Sequence, residues 1–376
     1  MIYLDNAATT KPCPEAVAAM TRALTEDWGN PSAGHGPGRT ARALLEESRR
    51  LVCSALGPGA ERGRVLFTSG GTEADNQALK CGAYLRRHTG RHIISSRVEH
   101  EAVLKSLDWL KSQGWEVTLL DPDGSGRIPL SAVEAALRPD TALVSLMLVN
   151  NETGGVNDLP GLRRLLKERQ SAALLHTDAV QAFLKLPFSP KTLGADLISL
   201  SSHKIHGPKG AGALWVAEGV RLPAFIHGGG QEQDQRSGTE AMPALAGFGA
   251  AAAATAARMR ESGPDHYAAL RALLQENLPG ARLVGDPAAC AAHICCVSLP
   301  GCRAEVLQNW LDSQGVCVSR GSACAKGRRS HVLEAIGLPP AEIDGALRVS
   351  FCPETTAEEV LTFCRLAAEA KARFFH

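Results

Sequence analysis

The sequence predicts an α/β fold in which a mainly parallel sheet is flanked by helices. Short apolar runs, typical of buried strands, alternate with helix-like segments through the first two thirds of the chain. At 376 residues the chain is also too long for one ordinary core, so we expect a large domain and a smaller one. The seven predicted strands of the large domain cover residues 65–68, 92–95, 117–120, 142–149, 172–176, 197–200 and 213–216.

Helix-like periodicity fills the intervals between these strands and continues beyond them. It predicts helices over 73–87, 101–113 and 162–169, and an alanine-rich helix over 241–260. The last third is typical of an α+β domain, with strands over 293–299 and 347–351 and helices over 265–277, 304–313 and 357–372. We therefore expect a large domain over 14–260, and a small domain that combines 261–376 with an N-terminal arm, 1–13.

Composition and charge argue against several classes of protein. The chain is 44% hydrophobic and 21% charged, which is typical of a globular protein, and its formal net charge of +1 does not favour nucleic acid or membrane binding. No apolar run has the length of a membrane span, and the N-terminus lacks the pattern of a signal peptide. Because eleven cysteines, an odd number, favour reduced thiols over disulfides, we expect a cytoplasmic protein.

The densest cysteine cluster lies between residues 290 and 302 and includes His293. Its spacing is poor for a zinc site, so we expect no metal there. Residues 294–299 are mostly apolar, and a free cysteine packs as a small hydrophobic side chain, so the pattern favours a buried strand.

Loops that follow the predicted strands hold the candidate functional residues, because ligands bind outside the carboxyl ends of the strands in such sheets. The segment Thr68-Ser69-Gly70-Gly71-Thr72-Glu73 follows one strand and opens a helix. Glycines let the backbone approach an anion closely, and free N–H groups at a helix start favour negative charge. Gly71 and Thr72 are therefore candidate phosphate ligands, although an ordinary glycine turn before a helix would look similar.

Lys204 lies directly after another predicted strand, within a run of hydroxyl, imidazole and glycine groups, SSHKIHGPKG over 201–210. A lysine amine can form a Schiff base with an aldehyde. Ser201 and His203 are candidate donors to a phosphate. Pyridoxal phosphate (PLP) carries both an aldehyde and a phosphate, so the segment predicts PLP as the cofactor.

Three further residues suit the ring of such a cofactor. Asp178 follows a strand, and a carboxylate facing a pyridine nitrogen keeps that nitrogen protonated. Gln181 could donate to the phenolate oxygen, and His100 could stack on the ring and relay protons. Each has a structural alternative, since Asp178 could cap the next helix and His100 could be an ordinary satisfied histidine.

Cys324 and Arg348 are candidates for the substrate side of the reaction. Cys324 lies in a loop between Gly321 and Gly327 with four basic residues close in sequence, and basic neighbours favour the reactive thiolate. Arg348, on a predicted strand, can hold a carboxylate with two parallel hydrogen bonds. The alternatives are an unreactive loop thiol and a salt bridge.

Together and in this order, these motifs resemble the NifS/IscS-type cysteine desulfurases, which are fold-type I PLP enzymes of the class V aminotransferase group. The Gly-Ser-Ala-Cys loop separates this branch from relatives that carry Gly-His-His-Cys. The matching segments run nearly from end to end: 3–10, 29–32 with His35, 67–76 (FTSGGTEADN), 99–100, 149–154, 176–181, 201–210, 228–232, 236–239, 321–324 and 348–350.

The resemblance implies the PLP-dependent transferase fold and a homodimer with each active site at the subunit interface. It implies that Lys204, and not Lys209, binds the cofactor aldehyde. Asp178 would pair with the ring nitrogen, Gln181 with the phenolate oxygen, and His100 would stack on the ring. The residues implied around the rest of the cofactor are Gly71, Thr72, Asn151, Ser201, His203 and, from the partner chain, Thr239.

The resemblance also implies the reaction. Asn151 and Arg348 would bind the carboxylate of L-cysteine, which is converted to L-alanine. Cys324 would take the sulfur as a persulfide and deliver it to a protein acceptor. Iron–sulfur cluster assembly, tRNA thiolation and cofactor biosynthesis all remain open as the destination of that sulfur.

Three departures from the family pattern bear on the sulfur acceptor. The loop after Cys324 is shorter and more basic than in iron–sulfur assembly members, Phe351 and Cys352 stand where a glycine is common, and the sequence ends soon after its last predicted helix. The alternatives are a selenocysteine lyase, another class V enzyme such as an aminotransferase, or a non-enzymatic sulfur or metal carrier. An aminotransferase leaves Cys324 unexplained, and a carrier leaves Lys204 and Asp178 unexplained.

Overall fold

The computed structural model describes residues 1–263, 265–320 and 329–375. The helices within these residues are α1 Pro14–Thr25, α2 Gly36–Ala55, α3 Gly71–Leu85, α4 Glu101–Ser112, α5 Leu130–Ala136, α6 Leu159–Glu168, α7 Pro190–Leu193, α8 Met242–Ser262, α9 His266–Asn277, α10 Ala304–Ser313, α11 His331–Ala335, α12 Pro340–Asp344 and α13 Ala357–Phe374. The strands are β1 Ile2–Tyr3, β2 Gly63–Thr68, β3 His92–Ser96, β4 Glu116–Leu120, β5 Thr141–Ser145, β6 Leu174–Asp178, β7 Leu197–Ser201, β8 Gly212–Ala217, β9 Arg282–Leu283, β10 Ile294–Ser298, β11 Val316–Cys317, β12 Ser319–Arg320 and β13 Ala346–Ser350.

Seven strands form the central sheet in the order β2-β8-β7-β6-β5-β3-β4. Strand β8 runs antiparallel to both of its neighbours, and the other pairs are parallel. Parallel sheets are covered by helices on both faces, which explains why these strands read as continuous apolar runs. The predicted α/β fold with a mainly parallel seven-stranded sheet is therefore confirmed.

Neighbouring residues of one strand serve two separate cores, because successive side chains point to opposite faces. Ile93 and Leu143 pack with residues of α3 and α4 on one face. Ile94 and Val144 pack with residues of α2, α6 and α8 on the other. The layered packing fixes the strand ends, and hence the loops that follow them, relative to one another.

A second, four-stranded sheet has the order β12-β13-β10-β9 and is antiparallel. Helices α9, α10 and α13 supply the apolar residues of the core that covers it. Strand β10 carries Cys295 and Cys296, both buried, so the cysteine cluster forms a buried strand as its sequence predicts.

The N-terminal segment contacts both sheets. Strand β1 pairs in parallel with β11, and Asp5 forms an isolated bridge with Ser350 at the end of β13. Further along, Thr10 N donates to His203 O at 2.9 Å and Cys13 N donates to His206 O at 2.8 Å. The segment therefore lies across the loop that carries Lys204.

Several features differ from the sequence prediction. The strand predicted over 142–149 ends at Ser145; beyond it, Met147 N donates to the Glu99 carboxylate and Met147 O accepts from Asn157 Nδ2 at 2.7 Å. Helices α1 and α2 were not predicted at all. The glycines at the start of α2 obscure it, and the His35 side chain caps it by accepting from Gly38 N. No helix among the described residues is long and apolar enough to span a membrane.

Candidate active site

Most of the predicted site residues gather at the carboxyl ends of central strands, where open α/β sheets bind ligands. Asp178 is the last residue of β6, and Ser201 is the last residue of β7. A short helical turn, Ser202–Lys204, follows β7 directly and carries Lys204. The first turn of α3 approaches from the neighbouring loop, since a Cβ added to Gly71 would lie 3.5 Å from Ser201 Cβ.

Lys204 points its ammonium group at the N-terminal segment. Its Nζ donates to Ala7 O and Ala8 O, both at 2.7 Å. Burial, reinforced by the positive charge of Arg348, lowers the pKa of Lys204 to about 8. A larger share of this amine is therefore neutral near pH 7 than for an exposed lysine, and only a neutral amine can act as a nucleophile or base.

Asp178 and Asp75 are two buried carboxyl groups in close proximity. Burial raises the pKa of Asp178, which the charges of His100 and Lys204 partly offset, and burial with the nearby Asp178 charge raises the pKa of Asp75 well above its usual range. Val180 N donates to Asp178 Oδ1 at 2.9 Å. A buried carboxylate is stabilised by a cation with a donor hydrogen, and a protonated pyridine nitrogen has both properties.

His176 lies among these carboxyl groups, and its contacts orient it. Its Nδ1 is 2.8 Å from Ser145 Oγ and its Nε2 is 3.0 Å from Ser199 Oγ. Burial lowers its pKa to about 3, so the ring is neutral. His176 is therefore a neutral polar support beneath Asp178, a role that the sequence analysis did not assign.

Gln181 is held from both ends of its amide. Its Nε2 donates to Ala7 O at 2.9 Å, and Lys185 Nζ donates to its Oε1 at 3.4 Å. Lys185 is buried, and that burial, with the charge of Lys204, lowers its pKa to about 7. The sequence analysis missed Lys185. Its spacing of four residues from Gln181 was the available signal, since a turn of helix brings such residues together.

The start of α3 and the end of β7 offer donors to an anion. Gly70, at the N-cap of α3, provides no side-chain cap for the helix amides. A Cβ on Gly71 would lie 2.8 Å from Val180 Cγ2, so only glycine allows this close approach. Ser201 Oγ is buried and has no hydrogen-bond partner among the described residues. An unpaired buried hydroxyl beside a helix N-terminus fits a phosphate group.

Two more predicted phosphate ligands differ in their surroundings. His203 is half-buried, its Nδ1 is 3.1 Å from Thr9 Oγ1, and burial together with the charges of nearby lysines lowers its pKa to about 4. Thr72 is exposed on the first turn of α3. Thr239 is exposed as well, and no hydrogen bond within the described residues joins it to the others.

His100 is exposed and caps α4, with Nδ1 accepting from Ala102 N at 3.1 Å. The structural alternative for this histidine is therefore realised, and its ring nevertheless lies close enough to Asp178 to affect that carboxyl group. The preceding Glu99 is buried and accepts from Ser96 Oγ at 2.6 Å and from Met147 N at 3.1 Å. Burial raises the pKa of Glu99 to about 8.

Arg348 reaches the same region from β13 in the second sheet. Its NH1 donates to Asn151 O at 2.9 Å, and its NH2 donates to Asp5 Oδ1 at 2.9 Å. Its Nε is buried without a hydrogen-bond partner among the described residues. A buried guanidinium with spare donor capacity, beside the lysine loop, is suited to a carboxylate ligand.

Cys324 lies outside the described residues, but the residues that follow its segment are well placed. Ser330 Oγ donates to Glu152 Oε2 and accepts from Leu333 N at 3.1 Å, so it caps α11. His331 Nε2 lies 3.3 Å from Glu99 O. The chain after residue 328 is thus attached beside Asn151 and His100, through contacts that the sequence analysis did not anticipate.

Comparison with known proteins supports the same interpretation. The family model of aminotransferase class-V matches residues 2–363. A cysteine desulfurase of Cereibacter sphaeroides is 44% identical over 96% of this chain and 92% of its own length. The cysteine desulfurase IscS of Methanosarcina thermophila is 40% identical over 96% of this chain and 89% of its own.

Solved structures agree with these relatives. A NifS-like protein has a TM-score of 0.92 and 34% identity, with 99% of each chain covered. A structure described as SspA in complex with cysteine has a TM-score of 0.81 and 32% identity, and covers 95% of this chain and all of its own. The chain therefore belongs to the aminotransferase class-V family, and within it to the PLP-dependent cysteine desulfurases of the NifS/IscS type.

Proposed function

We propose that this chain converts L-cysteine to L-alanine, with Cys324 accepting the sulfur as a persulfide. One observation carries the proposal: Lys204, a half-buried lysine of lowered pKa, lies near Asp178 and Arg348, which come from two different sheets. Such a group can hold an aldehyde cofactor at one end and an amino-acid carboxylate at the other. Neither an ordinary structural salt bridge nor a sulfur carrier requires this arrangement.

The cofactor would be held by residues that gather around the carboxyl ends of β6 and β7. Lys204 would bind its aldehyde carbon, and Asp178 would pair with its ring nitrogen. Gln181 and His100 would contact the ring oxygen and the ring face. The phosphate would take the remaining donors: Gly71, Thr72, Ser201 and His203. When bound, PLP withdraws electrons from the α-carbon of the substrate, which makes its bonds easier to break.

The substrate side is proposed for Arg348 and Asn151. Because Arg348 now donates to Asp5, a substrate carboxylate would compete with Asp5 for the guanidinium. An arginine gains most from a bidentate carboxylate, so Arg348 would turn one of its donors, or the unpaired Nε, toward the substrate. Asn151 would contribute from the loop whose carbonyl already orients Arg348.

Lys204 would also move the protons. Its lowered pKa leaves part of the amine neutral near pH 7, so it can take a proton from the substrate α-carbon and return one elsewhere. The carbonyls of Ala7 and Ala8 would stabilise the ammonium form between these steps. His100, exposed at the start of α4, is the proposed second proton carrier.

Cys324 would attack the sulfur of the substrate as a thiolate. The thiolate sulfur forms the new S–S bond, the substrate's C–S bond breaks, and the carbon product takes up a proton to become alanine. The basic residues around Cys324 would favour the thiolate form. The attachment of Ser330 to Glu152 holds the chain that follows this segment next to Asn151.

The wider setting is also a proposal. We propose a homodimer in which Thr239 of one chain completes the phosphate site of the other, which agrees with its exposure on this chain. The sulfur would pass to a protein acceptor that fits the basic loop, in a cytoplasmic setting that keeps thiols reduced.

The test compares the wild-type holoenzyme with Cys324→Ser. The variant should keep its bound PLP, because the substitution touches only the acceptor thiol, yet release no sulfide from L-cysteine in the presence of a reductant. Cys317→Ser is the matched control, because Cys317 is a half-buried strand thiol, and it should retain full activity. Full sulfide release by Cys324→Ser would refute the role of Cys324.

A further inference from the structure

Three side chains of metal-ligand type meet behind the lysine loop, outside the site described above. They are His206, Cys352 and Glu354, and their ligand atoms all lie within 4.8 Å of one another. His206 follows Lys204 by two residues, and Cys352 follows the end of β13 by two. We propose that these three residues bind a zinc ion that links the lysine loop to the segment after β13.

The separations are close to those that zinc requires. A tetrahedral ion with bonds of about 2.0–2.2 Å to nitrogen and oxygen places those two atoms about 3.4 Å apart. His206 Nε2 and Glu354 Oε2 are 3.7 Å apart. The sulfur, at about 2.3 Å from the ion, has to lie about 3.6 Å from the nitrogen and from the oxygen. Its present distance to either atom is at most 4.8 Å, so the sulfur has to move closer by little more than about 1 Å.

His206 is prepared to act as a ligand through Nε2. Its Nδ1 lies 3.1 Å from Lys11 O, so the proton is on Nδ1 and the lone pair is on Nε2, facing Glu354. A backbone carbonyl that orients a histidine in this way is the usual outer support of a metal site.

The backbone of His206 is held in an uncommon conformation. Its φ is +62°, a left-handed value that costs energy for a residue other than glycine. The conformation is held by two hydrogen bonds: His206 N donates to Thr10 Oγ1 at 2.7 Å, and Cys13 N donates to His206 O at 2.8 Å. The N-terminal segment thus fixes the first ligand in place.

Glu354 and Cys352 are oriented by their own neighbours. Arg258 Nε lies 3.3 Å from Glu354 Oε1, which leaves Oε2 directed at His206. Cys352 N donates to Thr355 Oγ1 at 2.9 Å, so the turn that carries the thiol is closed. Burial raises the pKa of the Cys352 thiol to about 11, so zinc has to displace the thiol proton when it binds.

Zinc fits this set better than magnesium or calcium does. Thiolate, imidazole and carboxylate together exclude magnesium and calcium, which take oxygen ligands, and they are the three ligand types of zinc. A cavity of about 10 Å³ is lined by His206, Cys352 and Lys204, among others. This is about the smallest space that holds one water, which can supply the fourth ligand.

The test measures zinc uptake by the PLP-loaded enzyme. Equilibrium dialysis against Zn²⁺ should give one more ion per chain for wild type than for Cys352→Ser, while Cys317→Ser should match wild type. Glu354→Gln keeps the shape of an exposed side chain and should weaken zinc binding at least 10-fold. Substitution of residues that only support the metal ligands already costs about 10–100-fold in metal affinity. Each measurement is repeated with Cys324→Ser to remove the proposed reactive thiol.

X-ray absorption at the zinc edge supplies an independent measure of the ligands. Wild type should show one sulfur at about 2.3 Å with nitrogen and oxygen at about 2.0–2.2 Å, and the sulfur shell should be absent in Cys352→Ser. Equal zinc content in wild type and Cys352→Ser, with PLP absorbance showing both folded, would overturn the proposal. In that case Glu354 serves only as the ion-pair partner of Arg258 and His206.

Discussion

Ser330 attaches the chain that follows Cys324 to the candidate active site, and we predict that Ser330→Ala weakens both stability and sulfur transfer. The hydroxyl is buried, donates to Glu152 and caps α11 by accepting from Leu333 N. Glu152 is also buried, and its Oε1 has no hydrogen-bond partner among the described residues. Alanine would remove the side-chain donor on which the other carboxyl oxygen depends.

The size of the effect follows from the two lost contacts. A hydrogen bond to a charged group contributes about 1.5–3 kcal/mol. Loss of an N-cap costs about 0.5–2 kcal/mol. Because the same hydroxyl makes both contacts, we expect Ser330→Ala to lower the free energy of unfolding by about 2–4 kcal/mol, measured by urea denaturation of the holoenzyme.

Sulfide release from L-cysteine is the second measurement, and it should fall at least several-fold while PLP absorbance stays unchanged. Ser313→Ala is the matched control, since that hydroxyl is exposed near a helix end and donates only to Trp310 O. Its effect on stability should stay within about 0.5 kcal/mol. If Ser330→Ala matched Ser313→Ala in both assays, the contact between Ser330 and Glu152 would contribute neither to stability nor to sulfur transfer. Lower stability with full activity would refute the positioning role alone.

Three other substitutions test separate parts of the site. Lys185→Met should be more stable than wild type near pH 7, and the difference in stability should shrink as pH rises from about 7 toward the ordinary lysine pKa. The buried amine binds its proton less tightly in the folded protein than in the unfolded chain, so wild type gains stability over that range. A pH-independent difference in urea denaturation would contradict the lowered pKa. Lys204→Ala should abolish the borohydride-reducible lysine adduct of PLP, while Lys209→Ala, at an exposed position, should retain it; the reverse outcome would reassign the cofactor lysine. Gly71→Ala should weaken PLP binding at least 10-fold, because the new methyl group would lie 2.8 Å from Val180 Cγ2. The control Gly36→Ala, whose methyl group would lie in open space, should bind PLP normally. Equal PLP affinities of the two variants in equilibrium dialysis would show that the close approach of Gly71 has no role.

Much of the fold could be predicted from local patterns. Strands buried on both faces read as short apolar runs, so all seven strands of the central sheet were recognisable, and the family match follows from motifs at their carboxyl ends. The end of β5 was not predictable, because the side chains of Glu99 and Asn157 take the amide and the carbonyl of Met147. Helix α2 was obscured by glycine and proline in its first turn.

The supporting residues of the site were harder to predict than its central ones. His176 and Glu152 owe their roles to burial and to contacts between distant segments, which periodicity does not reveal. Nothing in the sequence around Ser330 indicates its contact with Glu152, which lies 178 residues earlier in the chain. The division into domains at 14–260 and 1–13 with 261–376 stays a prediction.

Mapping the persulfide on the holoenzyme tests the central proposal most directly. After brief exposure to sulfur-labelled L-cysteine, alkylation and proteolysis, mass spectrometry should find the labelled sulfur on the peptide that contains Cys324, in step with the alanine formed. Lys204→Ala should produce neither the label nor alanine. Alanine formation with no label on Cys324, or with the label on another cysteine, would contradict the proposed sulfur transfer.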